Sequence, residues 1–276
     1  MRKKSYRVTF LLVLLWLTTS LTVSANSRIY PLYNSDFITI EQMDGVSNEL
    51  LDQTRQTLNL TQQYFRMNFD IPLSTSVLIV VTPNKNVFRD QLIEKFRYNE
   101  SQAEQLANNT SGIAGGHVIV INADSSMQGR SYIMVHELTH IYQGQLAGNQ
   151  RGAVMWILEG MANTVAAKIA DYEGHERLDN YQRRLQKEFS LTIRPKLDEL
   201  LTRYDWRACL DKYGYRITYQ TASYAALLLT DRFGERRVMK FFAELGQGAT
   251  SDISFQNSFG ISIADFIGDF ERMSSP

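Results

Sequence analysis

The chain holds 276 residues, with 29 Lys and Arg balanced by 29 Asp and Glu, 44% hydrophobic residues and a single Cys. That balance gives no support for nucleic acid or an anionic membrane surface as a partner, and a lone Cys209 excludes an intramolecular disulfide. The length suits one large domain or two subdomains with a sizeable core.

Residues 1–25 read as a signal peptide. Arg2, Lys3, Lys4 and Arg7 form a basic n-region, Val8 to Leu17 an apolar h-region, and Val23-Ser24-Ala25 offers small residues at a cleavage site. The apolar run falls short of the about 20 residues of a membrane span, so export is expected, with a retained signal anchor as the alternative. No Cys follows the h-region, which excludes a lipid-modified Cys anchor. Four of the 29 basic residues and none of the 29 acidic ones lie in this segment, so the remainder carries a net charge of about −4. Asn59, Asn99 and Asn109 open glycosylation sequons, which matter only in a eukaryotic host; the leader and the lack of disulfides suit a bacterium better.

Residues 26–45 form an extended lead-in containing a strand-like Phe37-Ile38-Thr39-Ile40. Val46 to Met67 has helical spacing of Leu50, Leu51, Leu58, Tyr64 and Phe65. Val77 to Val81 is a short continuous apolar run closed by Thr82-Pro83, the pattern of a buried strand. A helix is expected over Val87 to Phe96, then a flexible Gly112-Ile113-Ala114-Gly115-Gly116 and a second strand, His117 to Ile121. From Gly129 onward the period is helical. Helices are expected from Gly129 to near Gly144–Gly148, from Val154 to Tyr172, from His175 to Phe189, from Thr221 to Phe233, from Arg236 to Leu245 and from Ile263 to Phe270. The domain proper is therefore 46–276, with a mixed sheet-and-helix lobe over 46–150 and an all-helical lobe over 151–276. This is an α+β arrangement with a cleft between the lobes.

The motif that carries chemistry is His136-Glu137-Leu138-Thr139-His140. On a helix, residues four apart share a face, so both imidazoles can reach one Zn²⁺ while Glu137 reaches its water as general base. A third ligand is available in Glu159, eighteen residues further on, within Trp156-Ile157-Leu158-Glu159-Gly160-Met161-Ala162. His136, His140 and Glu159 together leave one coordination position open, as a hydrolytic site requires. Trp156 and Gly160 suit a tight helix–helix contact or ordinary packing. Cys209 reads as a small buried side chain rather than a nucleophile.

HExxH followed by eighteen residues and a Glu in a W-x-x-E-G-x-A setting resembles the gluzincin metallopeptidases, specifically the peptidase MA-like group. The similarity extends to Tyr219-Gln220-Thr221-Ala222-Ser223, to Arg232-Phe233-Gly234 and to the closing Phe259 to Phe266, covering roughly Gly112 to Phe270. The resemblance implies a thermolysin-like fold with the zinc cleft between its lobes. It also implies that Tyr219 donates a hydrogen bond to the oxyanion, with Tyr215 and Tyr224 as rivals, and that Gly115 to Val118 lies where an edge strand meets the substrate. Gluzincins often carry an acidic residue four positions after the third ligand; here that position is Asn163, which brings no charge.

The expected function is an exported zinc endopeptidase acting on peptide or protein substrates. Alternatives are a gluzincin aminopeptidase, a zinc-binding scaffold without turnover, and a protease whose cleft is blocked by residues 26–45. Gly112 to Gly116 contains no acidic residue to hold a substrate amine, which weakens the aminopeptidase. Of the two other His, His175 is expected to be a solvated cap residue and His117 either a turn residue or a cleft donor.

Overall fold

The computed structural model describes residues 37–148, 152–191 and 193–273. The expected signal peptide and the lead-in up to residue 36 lie outside these. Among the described residues, no helix is long and apolar enough to cross a membrane.

Four strands build one mixed sheet: β1 (Ile38–Gln42), β2 (Val77–Thr82), β3 (Gly112–Gly115) and β4 (Val118–Asn122). Their order is β1-β2-β4-β3, with β1, β2 and β4 parallel and β3 antiparallel to β4. Because side chains alternate along a strand, the continuous apolar runs feed two faces at once. Ile79, Val81, Ile119 and Ile121 enter the main core, while Val80 and Val120 meet Phe88, Leu92, Ala103 and Ala107 on the other side.

That second face is covered by α2 (Lys85–Phe96) and α3 (Glu100–Asn109); the first is covered by α1 (Asn48–Phe69) and by α4 (Met127–Ala147). Each of these helices starts where a side chain caps its first free amides. Ser47 accepts from Leu50 N–H, Asn84 from Val87 N–H and Ser126 from Gly129 N–H. Asn99 and Gln102 form a reciprocal capping box.

The remaining helices are α5 (Met155–Tyr172), α6 (Leu178–Leu191), a short 3₁₀ turn (Leu197–Leu200), α7 (Arg203–Tyr213), α8 (Tyr215–Phe233), α9 (Glu235–Gly246), α10 (Ser251–Phe259) and α11 (Ile263–Met273). Helix α5 is buried nearly all round, as expected for a helix without a polar face, and packs between α4 and α8. Gly160 permits that fit. A Cβ there would collide with the Ala222 carbonyl oxygen and lie 2.7 Å from Ala226 Cβ, both on α8. Trp156 stacks on Phe266 of α11 at 5.2 Å between ring centroids, so its role is core packing.

Several elements differ from the sequence expectations. Residues 38–42 of the lead-in are β1, paired with β2 throughout, so the segment 26–45 cannot leave as a unit without removing a strand. Gly112 to Gly115 is strand β3 rather than a flexible stretch. Its glycines sit where neighbours crowd in: a Cβ on Gly112 would lie 3.3 Å from Glu137 Cγ of α4 and closer still to Ile133 and Ile121, and one on Gly115 would lie 2.9 Å from Phe96 of α2. Helix α8 starts at Tyr215, not Thr221, because Gly214 at φ 82° breaks the chain between α7 and α8. Helix α6 starts at Leu178 rather than His175.

Candidate metal centre

Three side chains from two helices converge. His136 and His140 lie one turn apart on α4, and Glu159 faces them from α5; one ligand atom from each falls within 4.8 Å of the others. His136 Nε2 and His140 Nε2 are 3.0 Å apart, and Glu159 Oε2 lies 3.3 and 3.4 Å from them. Ligand atoms arranged tetrahedrally at about 2.0–2.1 Å from a zinc ion would be about 3.3 Å apart. The triangle has the size a zinc ion needs.

The protonation of the imidazoles follows from their other nitrogens. His140 Nδ1 faces Gln143 Oε1 at 2.7 Å, and the Gln143 amide NH₂ donates to the Leu158 carbonyl, which can only accept. His136 Nδ1 faces Asn163 Oδ1 at 2.8 Å; Asn163 NH₂ donates to Ser223 Oγ, whose own proton goes to the Tyr219 carbonyl. Both amide oxygens therefore point at the rings, and both rings must carry hydrogen on Nδ1. With no proton on either Nε2, that leaves two lone pairs and a carboxylate oxygen directed at one point, with Glu159 Oε2 buried and without a hydrogen bond. Three converging lone pairs repel one another unless a shared proton or a metal cation lies among them, and the residues present fit a divalent metal.

The electrostatics agree. Burial alone would lower the His140 pKa, but the Glu159 carboxylate outweighs it and pushes the value up to about 9. Burial works to raise Glu159, yet the two imidazoles hold its carboxyl far below the usual range. Positive charge is held tightly at this point.

Glu137, on the same helix, does not join the cluster. Burial pushes its carboxyl up, against the pull of both imidazoles, and the Ala114 amide of β3 donates to it. Both Gly112 and Ala114 sit beside it in a cleft of about 400 Å³ that also opens onto His136, Glu159 and Tyr219. Tyr219 projects from α8 into the same cleft as Glu159. Burial and the two carboxylates push its phenol well above the ordinary value, so it remains a donor. Tyr215 stacks 6.4 Å from Tyr219 and also lines the cleft, whereas Tyr224 packs against Phe189 and Phe270 and is no rival for the site.

The other singled-out residues fall elsewhere. His117 is exposed in the β3–β4 turn, its Nδ1 3.0 Å from Thr75 Oγ1, and does not line the cleft. His175 caps the end of α5 through its amide on the Ala170 carbonyl, but its ring is not fully solvated: Nε2 lies 3.4 Å from the Glu173 carboxylate, which also accepts from Ser131. Cys209 is buried, its thiol raised by burial and directed at the Glu199 carbonyl. Gln143 and Ser223 escaped the sequence reading. The only signal for Gln143 was its position three residues after His140, on the same helix face.

No protein-family model and no curated protein matches the chain.

Proposed function

We propose that this chain is an exported, zinc-dependent endopeptidase with a thermolysin-like gluzincin fold. The observation that carries the reading is the set of three lone pairs from His136, His140 and Glu159, directed at one point beside a buried carboxylate that stays outside the set. Zinc bound there would polarise a carbonyl and acidify a water molecule.

The chain's own groups supply the rest. Glu137 accepts a proton from the attacking water and returns it to the leaving amine, a role suited by a carboxyl raised toward neutrality. Tyr219, kept neutral by its surroundings, donates to the oxyanion that develops on the carbonyl. Strand β3 is the edge of the sheet and lies along the cleft, so its outer side can pair with an extended peptide. A second cavity of about 470 Å³ shares Leu106, Glu159, Tyr215 and Tyr219 with the first, so the cleft continues past the site along α7. That suits a chain passing through better than a blocked end. Export rests on the basic and apolar pattern of residues 1–25.

The test is a quenched fluorescent peptide library run with metal, with chelator and with zinc restored, alongside Glu137→Gln. Hydrolysis should vanish with chelator and return with zinc. Glu137→Gln should retain one zinc per chain by elemental analysis while turnover falls about 10²–10⁴-fold. Full turnover in that variant refutes the mechanism.

A further inference from the structure

We propose that the α7 wall of the cleft recognises a carboxylate on the substrate, a few residues from the scissile bond. This rests on the peptidase reading for its substrate class. Arg203 and Arg207 are one turn apart on α7 and both open onto the second cavity, which adjoins the candidate site through Glu159, Tyr215 and Tyr219. Neither guanidinium has a hydrogen-bond or ion-pair partner among the described residues. Eight other described arginines have a carboxylate partner, and Arg97 and Arg236, which share the absence, border neither cavity.

The pair is also placed at a cost to the helix. Like charges at i and i+4 repel, and Arg203 opens α7, where the helix dipole disfavours a cation. Nothing in the packing returns that cost, since both side chains are exposed. The facing wall offers Tyr98, Gln102 and Gln105, polar groups without charge. Asp211 also borders the cavity, leaving two positive charges against one negative apart from Glu159, which belongs to the candidate metal set.

The α7 wall is fixed relative to the site. Trp206, buried between the two arginines, meets the Tyr219 ring edge-on at 5.0 Å. A substrate residue beyond the reacting carbonyl on that side therefore passes under both guanidinium groups, whose planar fork matches a carboxylate. The carboxylate can belong to an Asp or Glu side chain or to the peptide's own C-terminus.

The experiment uses the full zinc-loaded chain and Ala-rich quenched peptides in which one Asp, Asn or Lys is walked along the sequence, each with a free or amidated C-terminus. At one position on one side of the cleavage point, kcat/KM for Asp should exceed that for Lys about tenfold, and the ratio should shrink in high salt. Arg203→Glu with Arg207→Glu should invert the ratio, and Arg203→Gln with Arg207→Gln should flatten it. A preference lost on amidation assigns the carboxylate to the C-terminus; one that survives amidation assigns it to a side chain. A rate indifferent both to the walked residue and to amidation, or a preference unmoved by both double variants, overturns the proposal. Anisotropy of the same peptides, labelled and bound to the chain, reads the arginines without turnover. Arginine-dependent binding with no hydrolysis of any peptide would sink the peptidase reading alone, and hydrolysis without charge preference would sink this inference alone.

Discussion

Gly160→Ala adds one methyl group where α5 and α8 approach most closely. The new Cβ would lie 2.7 Å from Ala226 Cβ and inside the Ala222 carbonyl oxygen, where carbon–carbon contact needs about 3.5–4.0 Å. The helices must separate by about 1 Å, because the obstacle is backbone and cannot rotate away. Such overpacking costs about 1–3 kcal/mol, and replacing Gly by Ala in a helix returns about 0.5–1 kcal/mol. The net loss is about 0–2.5 kcal/mol, or up to about 10 °C in Tm for a domain of this size. Glu159 and Tyr219 ride on the two separating helices, so activity should fall more than stability. Gly268→Ala in α11 is the control: its Cβ would meet only Arg272 Nη1 at 3.4 Å, and the same propensity gain should raise Tm slightly. Circular-dichroism melts and peptidase assays of both variants decide the matter. A Gly160→Ala protein with wild-type Tm and activity refutes the close-packing argument.

Asn163→Ala removes the acceptor that orients His136, and zinc affinity measured against a chromophoric chelator should weaken about 10–100-fold. Tyr219→Phe keeps the ring packing and removes the donor, so kcat should fall about 10²–10³-fold with little change in KM. Stripping the metal should lower Tm by about 5–10 °C relative to protein held at metal 100-fold above its Kd, a linkage of about 2.7 kcal/mol. A Tm indifferent to chelator would mean that the three side chains bind no metal when folded.

The candidate ligand set was legible because its logic is local. His136 and His140 need only one helix turn, and Glu159 only a neighbouring helix whose apolar sequence betrays its burial. What stayed hidden depends on tertiary contacts. Gly112 to Gly115 has no alternation to mark it as a strand; it pairs with β4, and its glycines sit where α4 and α2 crowd in. Helices α3 and α7 are polar on most positions, so neither showed an apolar stripe. The first turns of α8, Tyr215-Arg216-Ile217-Thr218-Tyr219, contain weak helix formers, and packing overrides propensity there. Gln143 serves His140 only because α5 presents the Leu158 carbonyl to hold its amide, which no reading of α4 alone could supply.

The chain of bonds from His136 through Asn163 and Ser223 ends on the backbone of Tyr219. The imidazole and the turn of α8 that presents the phenol are thus parts of one hydrogen-bonded string. Any ligand whose binding shifts α8 alters the energy of that string, and so would change how tightly a metal at the candidate site is held. Thermodynamic reciprocity then requires that metal loading change the affinity for that ligand by the same factor. Cleft occupancy and metal retention are two readouts of a single coupling energy, and each can be measured through the other.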